Sequence, residues 1–198
     1  KIKALLDVGK LAKNAELTEE EEKAMRGVGL LTAKPLFYCA NVREDELQSE
    51  NEAVRKLREY AAQHNSEVVV ISGKIEEELS EMEPADRQEF LADLGMEEAG
   101  LNRIVRTGFS LLGKMTYFTA GVKEVRAWTI NKGDKAPQAA GVIHTDFERG
   151  FIRAETVSFD DFVSLGGWNK ARDAGVMRTE GKEYVVRDGD VMNFLFNV

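Results

Sequence analysis

Two short apolar runs, Leu36 to Ala40 in KPLFYCANVRED and residues 67–72 in EVVVIS, constrain this chain more than anything else in it. Between them, ELQSENEAVRKLREYAAQHN places Leu47, Val54, Leu57 and Tyr60 at helical spacing. Strand, helix, strand in this order makes a βαβ unit with a parallel sheet, because parallel neighbours need a long crossover connection. Open parallel sheets bind ligands at the carboxyl ends of their strands. The residues that end the two runs, Asn41-Val42-Arg43-Glu44 and Ser72-Gly73-Lys74, are therefore the first candidates for a site.

The first loop approximates Asn-Lys-x-Asp, the guanine-reading loop of GTPases, with Val42 in place of Lys and Glu44 in place of Asp. In the guanine-reading form the Asp carboxylate accepts from the N1–H and the exocyclic amine of the base. A Glu is one methylene longer and loses that paired fit, and adenine offers an acceptor at N1. Losing paired charge-assisted bonds costs about 1.5–3 kcal/mol each, enough to erase a guanine preference. The alternative is a polar βα loop with an Asn turn. Ser72-Gly73-Lys74 resembles the Ser-Ala-Lys turn that gives a backbone N–H to the base in such domains. Against that, Gly73 also serves as an ordinary helix entry and Lys74 as a solvated cation. The stretch from Gly108 to Met115 fits G-x-x-x-x-G-K, but Met115 stands where magnesium needs Ser or Thr, and the stretch closes a helix instead of following a strand.

Elsewhere the local signals alternate between helix and strand. Thr18-Glu19-Glu20-Glu21 reads as a capping box opening a helix to about Ala33, stopped by Lys34-Pro35, and residues 1–14 read as the tail of another amphipathic helix. From Gly73 onward the pattern is helical, with Pro84 at a first turn and with Leu101, Ile104, Val105, Phe109 and Leu112 on one face before a cap at Gly113. From Met115 the texture changes to short β-type runs, separated by turns at Asn131–Gly133 and Arg187–Asp190, with a helix-like APQAAGVI between them. One or two short helices on a mixed sheet make a small α+β module.

The lone Cys39 sits in the first apolar run and reads as a buried thiol, and two histidines make a His-based metal site improbable. No stretch is apolar over the roughly 18 residues that span a bilayer, and the first residues lack a signal-peptide pattern, so no membrane is expected and the cytoplasm is the expected compartment. The net charge of −8 falls mainly on the first part, since residues 116–198 hold 11 Lys/Arg against 12 Asp/Glu. That acidity argues against a broad nucleic-acid footprint, and against DNA as a partner. In the second part Lys132, Lys135, His144, Arg149 and Arg153 gather near one loop, which reads as contact with RNA or a ribosomal surface, or as a solvated loop whose arginines are cancelled by Asp146 and Glu148. His144 lacks a partner nucleophile for a catalytic role. Trp128 and Phe151 read as core.

KAPQAAGVIHTDFERGFIRAETVSFDDF (135–162), with YFTAGVKEVRAWTI and DGDVMNFLFNV, resembles the C-terminal module of the YchF/Obg-like ATPase family, OBG-type P-loop NTPases. LTAKPLFYCANVRED, the stretch from Glu83-Pro84 and GLNRIVRTGFSLL are also similar to that family. The resemblance implies a fold in three parts: the end of a helical insertion and a return helix (1–34), the C-terminal half of a parallel-sheet nucleotide domain (35–115), and a ubiquitin-like β-grasp TGS domain (116–198). It implies ATP, or GTP, as ligand, with the base held by Asn41, Val42, Glu44, Ser72, Gly73 and Lys74. It also implies hydrolysis with Mg2+, and the ribosome (large subunit) or its RNA as partner. The family's phosphate loop and switch segments are missing from these residues, so no catalytic residue and no metal ligand is assigned. A non-enzymatic adaptor acting through the TGS surface is the other reading.

Overall fold

A computed structural model describes residues 1–197 and divides the chain into two compact units, Lys1–Leu112 and the residues from Gly113 onward. In the first, strand β1 (Tyr38–Asn41) pairs in parallel with β2 (Val68–Ile71), in register from Tyr38↔Val68 to Asn41↔Ile71. Helices α1 (Ile2–Asp7) and α2 (Glu19–Arg26) precede them, and α3 (Glu52–Gln63) makes the crossover. Three helices follow: α4 (Gly73–Glu81), α5 (Pro84–Asp93) and α6 (Gly100–Leu111). Helix α3 buries Val54 and Ala61, and its Tyr60 ring meets Tyr38 of β1 edge-on at 6.0 Å. Pro84 occupies the first turn of α5, where its missing N–H has no partner to lose.

Four local expectations are corrected here. The helix opened by the Thr18–Glu21 capping box ends at Arg26 and not near Ala33, because Gly27 and Gly29 interrupt it and only a 3-10 turn, Leu31–Ala33, follows. Helix α1 likewise stops at Asp7, and a separate 3-10 turn spans Ala12–Asn14. The crossover helix starts at Glu52, where Asn51 accepts from the Val54 amide at 2.8 Å, so Leu47 lies outside it. Cys39 is exposed and not buried. It shares a face with Val69 of β2, the strand against which α6 packs.

The second unit is a five-stranded sheet ordered β4-β3-β7-β5-β6, built from β3 (Lys114–Ala120), β4 (Val125–Asn131), β5 (Phe151–Ser158), β6 (Arg178–Glu180) and β7 (Asp190–Phe196). The first and last strands are parallel neighbours, Phe118 opposite Val191, and every other pair is antiparallel. With α7 (Ala136–Ile143) across one face, this is the β-grasp arrangement. Three alanines of α7 (Ala136, Ala139, Ala140) are fully buried and let the helix lie close to Met115, Tyr117, Ile130, Met192 and Phe194. The Tyr117 hydroxyl donates to the Ala139 carbonyl at 2.9 Å, and burial pushes its pKa far above the usual phenol range. Among the described residues four short helices are present where one or two were expected: α8 (Thr145–Arg149), α9 (Phe159–Leu165) and α10 (Trp168–Asp173) join α7. Phe151 is core, whereas Trp128 is half-buried with the Arg126 guanidinium 4.2 Å above its ring.

Candidate functional site

Both strands of the parallel pair end at the same edge, and the two loops they deliver are bonded to each other. The Gly73 amide donates to Asn41 Oδ1 at 2.8 Å, and the Val42 amide donates to the Ile71 carbonyl at 2.8 Å, carrying the ladder one residue past β1. Asn41 thus spends its carbonyl on the neighbouring loop and keeps its Nδ2 as a donor. Ser72 is 2% exposed at the entry to α4. Lys74 Nζ lies 3.6 Å from Glu44 and 3.5 Å from Glu78, so the cation at this edge is shared between two carboxylates. Arg43 pairs with Asp45 at 3.0 Å. The Arg43 amide, with Asn51 behind it, holds the Glu46 carboxyl below its usual range.

These residues open onto a cleft of about 770 Å3, lined by Asn41 to Asp45, Ser72, Lys74, Asp93 and Leu94. Clefts of roughly 300–1,000 Å3 are the size that small ligands and cofactors occupy. All six of the residues expected to meet a base therefore stand at one edge, five of them lining the cleft and Gly73 tied to Asn41. Asp93 and Leu94, from the end of α5, are additional. The sequence marks the end of that helix by Leu94-Gly95, but nothing in it tells where the turn folds back to.

Behind the cleft, Glu76 of α4 accepts from the Gly100 amide at 2.7 Å and from the Leu101 amide at 3.1 Å. One carboxylate, 24 positions away, thus satisfies two orphan donors at the start of α6. The Arg103 guanidinium donates to the Val70 carbonyl at 2.9 Å and anchors α6 against β2. The Gly108–Met115 stretch runs from the end of α6 through Gly113 into β3, the reverse of a phosphate loop's context. Among the described residues no group of three His, Cys, Asp or Glu side chains is placed to hold a metal ion.

In the second unit the five basic candidates do not share one loop. Lys132 and Lys135 precede α7, while His144 and Arg149 lie beyond it, separated by a helix of 8 residues, about 12 Å. Lys135 pairs with Glu183 at 2.6 Å. Asp146 stands 3.5 Å from His144 Nδ1 and 4.0 Å from Arg149. His144 Nδ1 accepts from the Asp146 amide at 3.2 Å and so caps α8. Lys132 and Arg153 make no ion pair among the described residues.

A parallel strand pair with its crossover helix, followed along the chain by a β-grasp unit, is the fold of the C-terminal region of a P-loop NTPase. Comparison with known proteins agrees. A family model named YchF-GTPase_C, described as a protein of unknown function (DUF933), matches residues 114–197. A relative from Bacillus subtilis (strain 168), named ribosome-binding ATPase YchF, is 54% identical over 200 residues, covering 100% of this chain and 55% of its own length. A relative of the same name from Escherichia coli O157:H7 is 55% identical over 183 residues, covering 92% of this chain and 50% of its own length. The solved structure of the Schizosaccharomyces pombe YchF GTPase superposes with a TM-score of 0.76 at 34% identity, covering 96% of this chain and 50% of that one. A GTP-binding protein from Pyrococcus horikoshii OT3 shares the fold, with a TM-score of 0.58 at 18% identity, covering 98% of this chain and 55% of that one. The chain belongs to the YchF family, of which it forms a C-terminal portion, and it spans about half the length of the curated relatives it matches. No described helix is long and apolar enough to cross a membrane.

Proposed function

We propose that the cleft at the ends of β1 and β2 holds the base of a purine nucleotide, ATP in preference to GTP, within a ribosome-associated ATPase. The observation that carries this reading is the Asn41–Gly73 hydrogen bond, which joins two βα loops into one preformed wall of the cleft. With Asn41 Oδ1 engaged, its Nδ2 is the donor left for an acceptor nitrogen of the purine. Val42 presents an apolar surface where the guanine-reading loop has Lys. Glu44 faces Lys74 and is one methylene too long for the paired fit to guanine. The triphosphate and Mg2+ would be held by residues outside this chain, and this chain's part is to bind and orient the base. When bound, the nucleotide supplies the phosphoanhydride whose hydrolysis is the reaction.

Residues 116–198 are read as a TGS module that meets the ribosome, with Lys132 and Arg153 the two of its five basic candidates that make no ion pair among the described residues. The relatives named ribosome-binding ATPases support a cytoplasmic, ribosome-linked role. Calorimetry with ATP and GTP on the full-length natural protein tests the base site. Wild type is expected to favour ATP, and Val42→Lys with Glu44→Asp is expected to move the affinity ratio towards GTP by about tenfold or more. An unchanged ratio removes this loop from base selection. If nucleotide fails to bind at all, the adaptor reading takes its place.

A further inference from the structure

We propose that the turn ending α5, Asp93-Leu94-Gly95, is a third wall of the base cleft, with Leu94 against the purine ring, Asp93 accepting from its 6-amino group, and Gln48 as the positioning residue. This rests on the base-site reading above and adds an element that the two βα loops do not contain.

Three observations carry it. Asp93 and Leu94 line the cleft together with the loop residues, although they lie some 50 positions after Asn41. Among the lining residues only Val42 and Leu94 are apolar, and both are half-buried, so they are the surfaces on which a flat ring can lose water. The turn is also fixed rather than adaptable. The Met96 amide donates to the Leu91 carbonyl at 2.8 Å and the Gly95 amide to the Ala92 carbonyl at 2.9 Å, with Gly95 at φ +67°, a Schellman cap that only a residue tolerant of left-handed backbone closes without strain.

Gln48 supplies the link. Its Nε2 donates to the Leu94 carbonyl at 2.7 Å and reaches the Gly95 carbonyl at 3.4 Å. Gln48 follows directly on the base loop, so a helix end 46 positions away is tied to the connection that carries Asn41 and Glu44. The Leu94 carbonyl, at the C-cap, is one that a helix terminus leaves without an internal donor.

The polarity of the walls then selects the base. Glu44 occupies the position that faces N1 and C2 of a purine in the guanine-reading loop, but here its carboxylate is paired with Lys74 at 3.6 Å and is not offered to N1 of adenine. Position 6 is assigned to the carboxylate that the α5 turn brings to the cleft, Asp93. There adenine presents an amine, which donates to a carboxylate, while guanine and hypoxanthine present a carbonyl oxygen, whose lone pairs repel one. An acceptor facing an acceptor is a standing penalty against the wrong base.

ATP, ITP and GTP separate these contributions, because ITP differs from ATP at position 6 and in the proton on N1, and differs from GTP only in lacking the 2-amino group. The experiment is calorimetry of all three with full-length wild type, Asp93→Asn, Leu94→Ala, Gln48→Ala and Asn41→Ala, alongside thermal melting of each. Asp93→Asn is expected to lower the ATP/ITP affinity ratio by about tenfold, because ATP loses a hydrogen bond to a charged group and ITP loses the repulsion at its 6-oxo group. Leu94→Ala should weaken all three nucleotides alike. Gln48→Ala should lower the ATP/ITP ratio in the same direction as Asp93→Asn. A lower melting temperature with an unchanged ratio makes Gln48 a structural residue and overturns its assignment. If Asn41→Ala weakens binding while the α5-turn variants keep wild-type affinities and ratios, the third wall is overturned and the base site stands. If wild type binds none of the three, both fall.

Discussion

A Cβ placed on Gly100 would lie 2.6 Å from Ile71 Cγ2 and 2.8 Å from Glu76 Oε1, closer than side-chain atoms pack. The bare backbone at this position lets α6 approach β2 and lets Glu76 reach two amides at once. Gly100→Ala therefore both overpacks the contact with Ile71 and displaces a charged cap, and we expect a loss of about 1–3 kcal/mol. Gly108, in the same helix, is the control: nothing lies within 4 Å of its Cβ position. Gly108→Ala is expected to stabilise by up to about 0.5–1 kcal/mol, through helix propensity alone. Urea denaturation of the two variants measures the contrast, and equal effects would mean that the Gly100 contact relaxes freely. A second residue-scale arrangement lies in the β-grasp unit. Asp190, 3% exposed, accepts from Tyr184 Oη at 2.7 Å, from Arg178 at 3.0 Å and from the Arg187 amide at 2.9 Å. Burial, reinforced by that carboxylate, pushes the Tyr184 phenol up to about 12. Neither Glu76's distant partners nor this triad could be read from spacing, because both depend on which helices and turns meet.

At the scale of the element, α6 is the instructive case. Its sequence marks Leu101, Ile104, Val105, Phe109 and Leu112 as one apolar face, and helical periodicity alone would bury that face. In the structure Ile104 turns inward with Arg103 and Gly100, whereas Leu101, Val105 and Leu112 are 57%, 52% and 63% exposed. The tightest contact decided the docking face: Gly100 admits Ile71, and Arg103 bonds the Val70 carbonyl. The rest of the stripe is left open in this chain. We predict that the isolated chain self-associates through it, and that Val105→Glu with Leu112→Lys yields a monomer by sedimentation without lowering the melting temperature by more than a few degrees. Association that persists in the double variant would place the sticky surface elsewhere. By contrast, the strands, the crossover and α7 were legible, because period-two runs, helical spacing and the Pro at the start of α7 all act locally. The loops at the cleft were legible for the same reason, since a polar stretch that ends a buried strand can emerge only at its carboxyl end. The wall formed by Asp93 and Leu94 was not, because it arrives through a tertiary bond from Gln48.

At the scale of the whole molecule, the two units differ in how much apolar surface each encloses. The β-grasp unit closes around Met115, Tyr117, Ile130, Phe151, Met192 and Phe194. The first unit buries Val54, Val69, Ile75 and Leu79 around only two paired strands. At about 1.5–3 kcal/mol per buried large side chain, the second unit is expected to be the more stable. Both tryptophans, Trp128 and Trp168, belong to it, while the longer helices belong to the first. Urea titration followed by far-UV circular dichroism should therefore show an earlier midpoint than the same titration followed by tryptophan emission. Coincident curves would mean one cooperative unit. The exposed thiol on β1 opens a practical route to the cleft. Cys39 is the chain's single cysteine and lies two residues before Asn41, so a maleimide dye would attach at one address without any engineered substitution. Its emission would report what happens at the base loop, and its rate of coupling would report whether anything covers that side of the strand.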